Sequence, residues 1–257
     1  MAEKEESLLA RLNPRLRANR KKQKQVEDYV DSRVRAAREV DLSYGKIPQE
    51  KVLDMVLASD MEKIRLTLSE ADRQTFASAV DTLLDARAIY VLGIRSCAPL
   101  ASFLAFYLGQ IFPDVRLVTT NSAGEIFEQL IRIGEDDVLV GISFPRYSMR
   151  TLKAMEFAND RKARTIAITD SEHSPLNLYS SCRLLARSEM ASIVDSLVAP
   201  MSLINALIVA LCMKRQKEVA RHLDACWSAA QMYETDELNP LAEEPDADLI
   251  DPGSEKP

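Results

Sequence analysis

Short apolar runs alternate with longer amphipathic stretches between residues 88 and 216 of the chain. Five of the runs are AIYVL, VRLV, VLVGI, TIAI and CRLLA. They are rich in Val, Ile and Leu, as is typical of strands buried on both faces. These runs predict strands at 88–93, 115–119, 137–143, 164–169 and 183–187. The stretches between them predict helices at 97–112, 122–133, 147–160 and 195–216, with a shorter one begun by Ser174-Pro175. This alternation predicts an α/β fold around a five-stranded parallel sheet.

Helices are also predicted ahead of the first strand. Apolar residues recur near helical spacing from Val52 to Leu68, and four more share one face of residues 71–86. Residues 5–45 favour a helix with few large apolar residues. The pattern divides the chain into four parts. They are an N-terminal segment 1–46, a helical lead-in 47–86, the α/β domain 87–235 and a tail 236–257.

The composition is that of one substantial domain with appendages. The chain has 257 residues, of which 47% are hydrophobic, and its four cysteines show no C-x-x-C spacing. A reduced, cytoplasmic protein is therefore expected. The N-terminus lacks the apolar core of a signal peptide. The apolar stretch 197–213 is shorter than the ~20 residues that a membrane span needs, and it contains Pro200. We interpret it as a buried helix, apolar on nearly all sides.

Charge is distributed unevenly. The net charge is −6, yet residues 11–24 hold seven basic residues and no acid, whereas residues 234–257 hold nine acids and one lysine. The acidic tail is predicted to be disordered. The basic segment is a candidate for contact with DNA phosphates, or else a solvated helix face. The candidate DNA-contacting residues are Arg15, Arg17, Arg20, Lys21, Lys22 and Lys24.

Small polar clusters follow the predicted strands, at the sheet edge where open α/β folds bind ligands. After the first strand, Gly93, Arg95 and Ser96 turn the chain toward a helix. Glycine permits a tight turn and the close approach of a ligand. Ser96 could donate a hydrogen bond to a ligand oxygen or simply cap the helix.

The cluster after the third strand is more informative. Ser143 ends an apolar strand, and Ser148 and Thr151 fall at the start of the next helix. Hydroxyls and free backbone N–H groups at a helix N-terminus suit a phosphate. Arg146 or Arg150 could add charge complementarity. Helix capping with solvated arginines would explain the same residues, but the two loops together favour a ligand site.

Other polar residues at this edge allow two interpretations. Asp170 could accept a hydrogen bond from a sugar hydroxyl or cap the short helix. Glu125 could act as the base of a sugar-phosphate isomerase, although it would also suit the helix dipole. His173 is interpreted as a surface residue. No metal-ligand spacing or phosphate-binding P-loop is present, so no metal or cofactor is expected.

The same blocks resemble the sugar isomerase (SIS) domain, in particular the ligand-sensing half of the MurR/RpiR family of bacterial transcriptional regulators. The matching blocks lie at residues 89–96, 138–148, 165–171, 174–176 and 191–196. The resemblance implies a three-layer αβα fold with a five-stranded parallel sheet, a phosphorylated sugar at the strand ends, and dimers or larger oligomers. It also implies that Ser96, Ser143 and Ser148 bind the ligand. Cys97 stands where many members have a second serine.

The N-terminus departs from the family pattern. Residues 8–29 look like the first helices of the family's helix-turn-helix domain, and residues 33–54 look like the linker that follows it. The recognition helix has no counterpart between them, which a natural deletion or an error in gene prediction would explain. Three functions stay open: a regulator that responds to a sugar phosphate, an isomerase, and a module that modulates an intact regulator without binding DNA itself.

Overall fold

A parallel sheet forms the centre of the molecule in the computed structural model. The structure describes residues 48–120, 122–188, 190–191 and 194–233, together with Lys24 and Asp28. The five strands are β1 (Ile89–Gly93), β2 (Val115–Val118), β3 (Val138–Ile142), β4 (Arg164–Thr169) and β5 (Cys182–Leu185). They lie in the order β2-β1-β3-β4-β5, and every neighbouring pair is parallel. A separate antiparallel hairpin joins β6 (Met190–Ala191) to β7 (Val194–Asp195).

Helices precede the sheet, connect its strands and follow it. They are α1 (Val52–Glu70), α2 (Arg73–Leu84), α3 (Ala98–Gly109), α4 (Ala123–Leu130), α5 (Met149–Asp160), α6 (Val198–Lys214) and α7 (Gln216–Tyr233). Short 3₁₀ turns occur at Gln49–Lys51, Arg95–Cys97 and Pro175–Tyr179.

The sheet is covered on both faces, which gives the three-layer αβα arrangement. Alternate residues of β1 point to opposite sides, as the pleat of a strand requires. Ile89 and Val91 belong to the apolar cluster with α2, α3 and α6, whereas Tyr90 and Leu92 belong to the cluster with α4 and α5. The predicted fold class is therefore confirmed.

Helix α1 is attached to the body partly through buried polar groups. Its two buried residues are Lys63 and Thr67. The Lys63 ammonium lies 2.8 Å from Ser59 Oγ and 3.4 Å from Asp60 Oδ1. Thr67 Oγ1 accepts a hydrogen bond of 2.9 Å from the backbone N–H of Arg187. The large apolar residues Leu53, Leu57, Met61 and Leu68 are exposed.

The five predicted strands agree with the structure to within two residues at each end. Three other boundaries were wrong. Helix α3 ends at Gly109 instead of 112, and helix α4 ends at Leu130 instead of 133. The helix predicted from residue 195 begins at Val198, because Val194 and Asp195 belong to the hairpin. The hairpin was not predicted.

The stretch interpreted as a buried helix is α6, and the structure buries only one side of it. Ile204, Leu207 and Leu211 are fully buried, whereas Val209 and Met213 are exposed. Within the described residues, no single helix is long and apolar enough to cross a membrane. Helix α6 and residues 216–229 would pass that test only together, and they meet at a 95° bend.

Several predictions concern residues outside the described ranges. Among the candidate DNA-contacting residues, Lys24 is helical and exposed. Arg15, Arg17, Arg20, Lys21 and Lys22 lie outside the described residues, as does the acidic tail 236–257.

Candidate functional site

A cavity of ≈ 260 Å³ opens at the carboxyl edge of the sheet, where β1 and β3 lie side by side. Its walls come from the two loops that the sequence singled out and from the end of the hairpin. The lining residues are Ile94, Arg95, Ser96, Cys97, Ser143, Phe144, Arg146, Ser148 and Asp195. The structure therefore brings together five of the eight predicted ligand residues. Gly93, Thr151 and Asp170 are outside the lining.

The first wall is the 3₁₀ turn that follows β1. A Cβ atom at Gly93 would lie 2.5 Å from the carbonyl oxygen of Cys97, so glycine allows the turn to pack directly on the strand. Arg95 adopts a positive φ of 59°, which is uncommon for a residue other than glycine and occurs often at functional sites. Ser96 lies within the turn and Cys97 occupies the N-cap position of α3. The alternative role of Ser96 as the helix cap is therefore wrong.

The second wall is the loop between β3 and α5. Ser143 is buried, and its Oγ accepts a hydrogen bond of 3.1 Å from the backbone N–H of Ser148. Ser148 is the N-cap of α5, and its side chain accepts from the backbone N–H of Thr151 at 3.4 Å. A serine hydroxyl can donate one hydrogen bond while it accepts others. Both hydroxyls therefore keep a proton that a ligand oxygen in the cavity could accept.

Charged side chains complete the cavity. Arg95 and Arg146 supply positive charge, and Arg146 donates a hydrogen bond of 2.7 Å to Oδ2 of Asp195. The Asp195 side chain is only 5% exposed, whereas that of Arg146 is 43% exposed. Asp195 was missed by the sequence analysis because residue 195 was predicted to begin a helix. The block 191–196, which resembles the SIS domain, has Asp195 as its only charged residue, and this is the signal that could have drawn attention to it.

One family of known domains matches the part of the chain that forms the sheet and its connecting helices. The SIS domain family matches residues 82–210, half of the chain. The chain belongs to the SIS domain family. This finding confirms the SIS domain that the sequence blocks indicated.

Among curated proteins, this SIS-domain chain is similar to two HTH-type transcriptional regulators. One, from Caldanaerobacter subterraneus, is 21% identical over 67% of the chain, and the other, from Haemophilus influenzae, is 24% identical over 65%. The chain spans 62% and 58% of the lengths of these relatives.

Solved structures share the fold at low sequence identity. The sugar isomerase domain of an RpiR transcription factor from Sphaerobacter thermophilus has a TM-score of 0.67 at 22% identity, covering 69% of this chain and 99% of that domain. The Vibrio vulnificus NanR protein, complexed with ManNAc-6P, has a TM-score of 0.64 at 18% identity, covering 77% and 74%. Phosphoheptose isomerase from Neisseria gonorrhoeae has a TM-score of 0.52 at 14% identity, covering 64% and 98%.

Two other predicted ligand residues of the SIS domain are buried outside the cavity lining. Thr151 is fully buried, and its Oγ1 has no hydrogen-bond partner among the described residues. Asp170 is buried at the end of β4, where its carboxylate accepts hydrogen bonds from Tyr147 and from Thr169 Oγ1. Ser174, not Asp170, occupies the N-cap position of the following 3₁₀ turn, so the capping interpretation of Asp170 is wrong.

The chemically reactive side chains of the SIS domain lie in different surroundings. Glu125 is exposed in the first turn of α4, where it accepts a hydrogen bond from Thr120, and it does not line the cavity. Burial raises the pKa of the Cys97 thiol to about 11, which keeps it neutral at physiological pH. His173 is exposed, as predicted. No group of three or more potential metal ligands occurs among the described residues.

Proposed function

We propose that this SIS domain binds a phosphorylated sugar in the cavity at the sheet edge and serves as the effector-sensing part of a transcriptional regulator. The observation that carries the proposal is the convergence of Ser96, Ser143 and Ser148 with two arginines on one cavity. The HTH-type regulators among the relatives support the regulatory role. The complex of NanR with ManNAc-6P supports the class of ligand.

We infer that the serine hydroxyls and the N-terminus of α5 bind the phosphate group of the effector. Hydroxyls and backbone N–H groups donate to phosphate oxygens, and the helix dipole favours the negative charge there. Each hydrogen bond to a charged group contributes ~1.5–3 kcal/mol. The positive charges of Arg95 and Arg146 attract the phosphate at longer range. The sugar then extends from the phosphate toward the remaining walls of the cavity.

An isomerase is the less favoured function. Aldose–ketose isomerisation needs a base beside the sugar carbon that loses its proton. Glu125, the base that the sequence suggested, is bonded to Thr120 and lies outside the cavity lining. The likeness to isomerases rests on fold alone, since phosphoheptose isomerase is 14% identical. We therefore expect binding without turnover.

DNA contact by this chain is assigned to the basic segment of residues 11–24. Contact through lysine and arginine alone is electrostatic, so affinity should fall steeply with salt and depend little on sequence. A fluorescence-anisotropy titration of duplex DNA between 50 and 300 mM salt measures this. Sequence-selective binding that persists at high salt would contradict it.

We further expect a cytoplasmic homodimer or tetramer, and sedimentation of a monomer would contradict that assembly.

Phosphorus NMR on a panel of sugar phosphates tests the function. We expect selective broadening of one phosphate signal by the wild-type protein and its loss in Ser143→Ala. Ser181→Ala is the matched control, because Ser181 Oγ also accepts a backbone N–H, from Thr165 at 3.2 Å, but lies before β5 at the opposite edge of the sheet. New signals that grow with time would identify an isomerase. No change with any sugar phosphate would refute the sensor site.

A further inference from the structure

Asp195 has a feature that phosphate binding does not explain. One carboxylate oxygen, Oδ2, accepts the hydrogen bond from Arg146, but the other, Oδ1, is buried without a hydrogen-bond partner in the described part of the chain. Buried polar groups in native proteins are nearly always hydrogen-bonded, and a carboxylate oxygen can only accept. A donor is therefore needed at Oδ1.

The phosphate of the effector cannot be that donor. A phosphate at physiological pH is an anion rich in acceptor oxygens, and two like charges in one cavity repel each other. The ion pair with Arg146 offsets the charge of Asp195 and so allows an anion nearby. The neutral part of a sugar phosphate, in contrast, carries hydroxyl groups that donate readily.

We propose that Asp195 is a specificity-determining residue that accepts a hydrogen bond from a hydroxyl group on the carbohydrate part of the effector. The site then selects phosphorylated sugars with a hydroxyl at that position and rejects ligands with a second anionic group there. This inference rests on the proposed function, because it assumes that the effector's phosphate occupies the serine-lined part of the cavity.

The residue that follows Asp195 is anchored by two hydrogen bonds, which hold the chain in place next to the carboxylate. Ser196, the next residue, donates a hydrogen bond of 2.6 Å to Oδ1 of Asp60 on α1. The backbone carbonyl of Ser196 accepts another, of 2.8 Å, from Ser188 Oγ. A binding residue fixed by its supporting contacts loses little conformational entropy when the ligand arrives.

Isothermal titration calorimetry with inorganic phosphate and with hexose 6-phosphates tests the assignment. In Asp195→Ala we expect the best hexose phosphate to bind roughly 10- to 100-fold more weakly, as loss of one hydrogen bond to a charged group predicts. The affinity for inorganic phosphate should change by less than about threefold or should increase, because the substitution removes a negative charge from the cavity. Asp195→Asn, which keeps the side-chain shape, should change the ranking of the hexose phosphates.

Asp114→Ala is the matched control, because Asp114 also pairs with an arginine, Arg116, but lies before β2 at the opposite edge of the sheet. It should leave every affinity unchanged. Equal weakening of phosphate and hexose phosphates by Asp195→Ala would indicate a purely structural role and overturn the inference, as would no weakening of any hexose phosphate. A wild-type protein that binds none of these ligands would instead overturn the proposed function, and the inference with it.

Discussion

Substituting Gly93 by alanine should damage both stability and ligand binding, because the space beside it is already filled. No glycine among the described residues has a positive φ, so the requirement at residue 93 is for room rather than for backbone freedom. The new Cβ would lie 2.5 Å from the carbonyl oxygen of Cys97 and 3.0 Å from Cβ of Ala101. Both neighbours belong to backbone or to a short, inflexible side chain, so neither can move aside alone.

The size of the effect follows from these distances. The turn must retreat by about 0.9 Å, the difference between 2.5 Å and the 3.4 Å at which ordinary contact begins. Overpacking of this kind costs about 1–3 kcal/mol. It should lower the Tm by roughly 3–10 °C. A ligand hydrogen bond of about 2.9 Å to Ser96 would lengthen to about 3.8 Å, too long to be a hydrogen bond. Affinity for the effector should therefore fall about 10-fold or more.

Gly109→Ala is the control, and its expected change in stability has the opposite sign. Gly109 is the last residue of α3, and a Cβ there meets nothing within 4 Å. Alanine favours a helix over glycine by about 0.5–1 kcal/mol, so this variant should be slightly more stable than the wild type. Urea denaturation followed by circular dichroism and a phosphorus NMR titration measure the two effects. Equal stability and equal affinity of Gly93→Ala and Gly109→Ala would refute the packing argument.

Other contacts yield predictions of smaller effects. Gly141→Ala should lower the free energy of unfolding by less than about 1.5 kcal/mol, because the three atoms nearest to the new methyl group all belong to the flexible side chain of Met155. Urea denaturation measures this, and a loss equal to that in Gly93→Ala would contradict it. Thr67→Val should cost about 1–2 kcal/mol, because the backbone N–H of Arg187 loses its acceptor, and unchanged stability would show that this bond contributes nothing. Burial raises the pKa of Cys97 from 9.0 in the unfolded chain to about 11. The folded state therefore keeps a proton that the unfolded state releases, and stability should fall as pH rises from about 9 to about 11. Cys97→Ala should flatten that part of the pH profile, and an unaltered slope would show that the thiol does not titrate as described.

The sheet could be predicted because its strands are apolar on both faces. Every residue of β1 and β3 is buried, so each strand appears in the sequence as an uninterrupted apolar run. Parallel strands also place their carboxyl ends at one edge. For that reason, the order of elements was enough to bring Ser96 together with Ser143 and Ser148.

Contacts between distant residues could not be predicted in the same way. Asp195 and Arg146 are 49 positions apart, and neither belongs to a local pattern that indicates the other. The hairpin that carries Asp195 is two residues long on each side, which is too short for an alternation to be recognised. Helix α7 exposes Leu223 and Trp227, so its apolar residues do not mark a face buried in the core.

The mode of attachment of α1 has a consequence for how the domain opens. The two buried residues of α1, Lys63 and Thr67, are polar, so little apolar area is lost from the core when the helix detaches. Sub-global opening of α1 should therefore require less free energy than global unfolding, and its amide protons should exchange with solvent well before those of β3. Asp60 of α1 accepts a hydrogen bond from Ser196, the residue that follows Asp195 in the cavity lining. Binding of a ligand in the cavity and opening of α1 would therefore be thermodynamically linked.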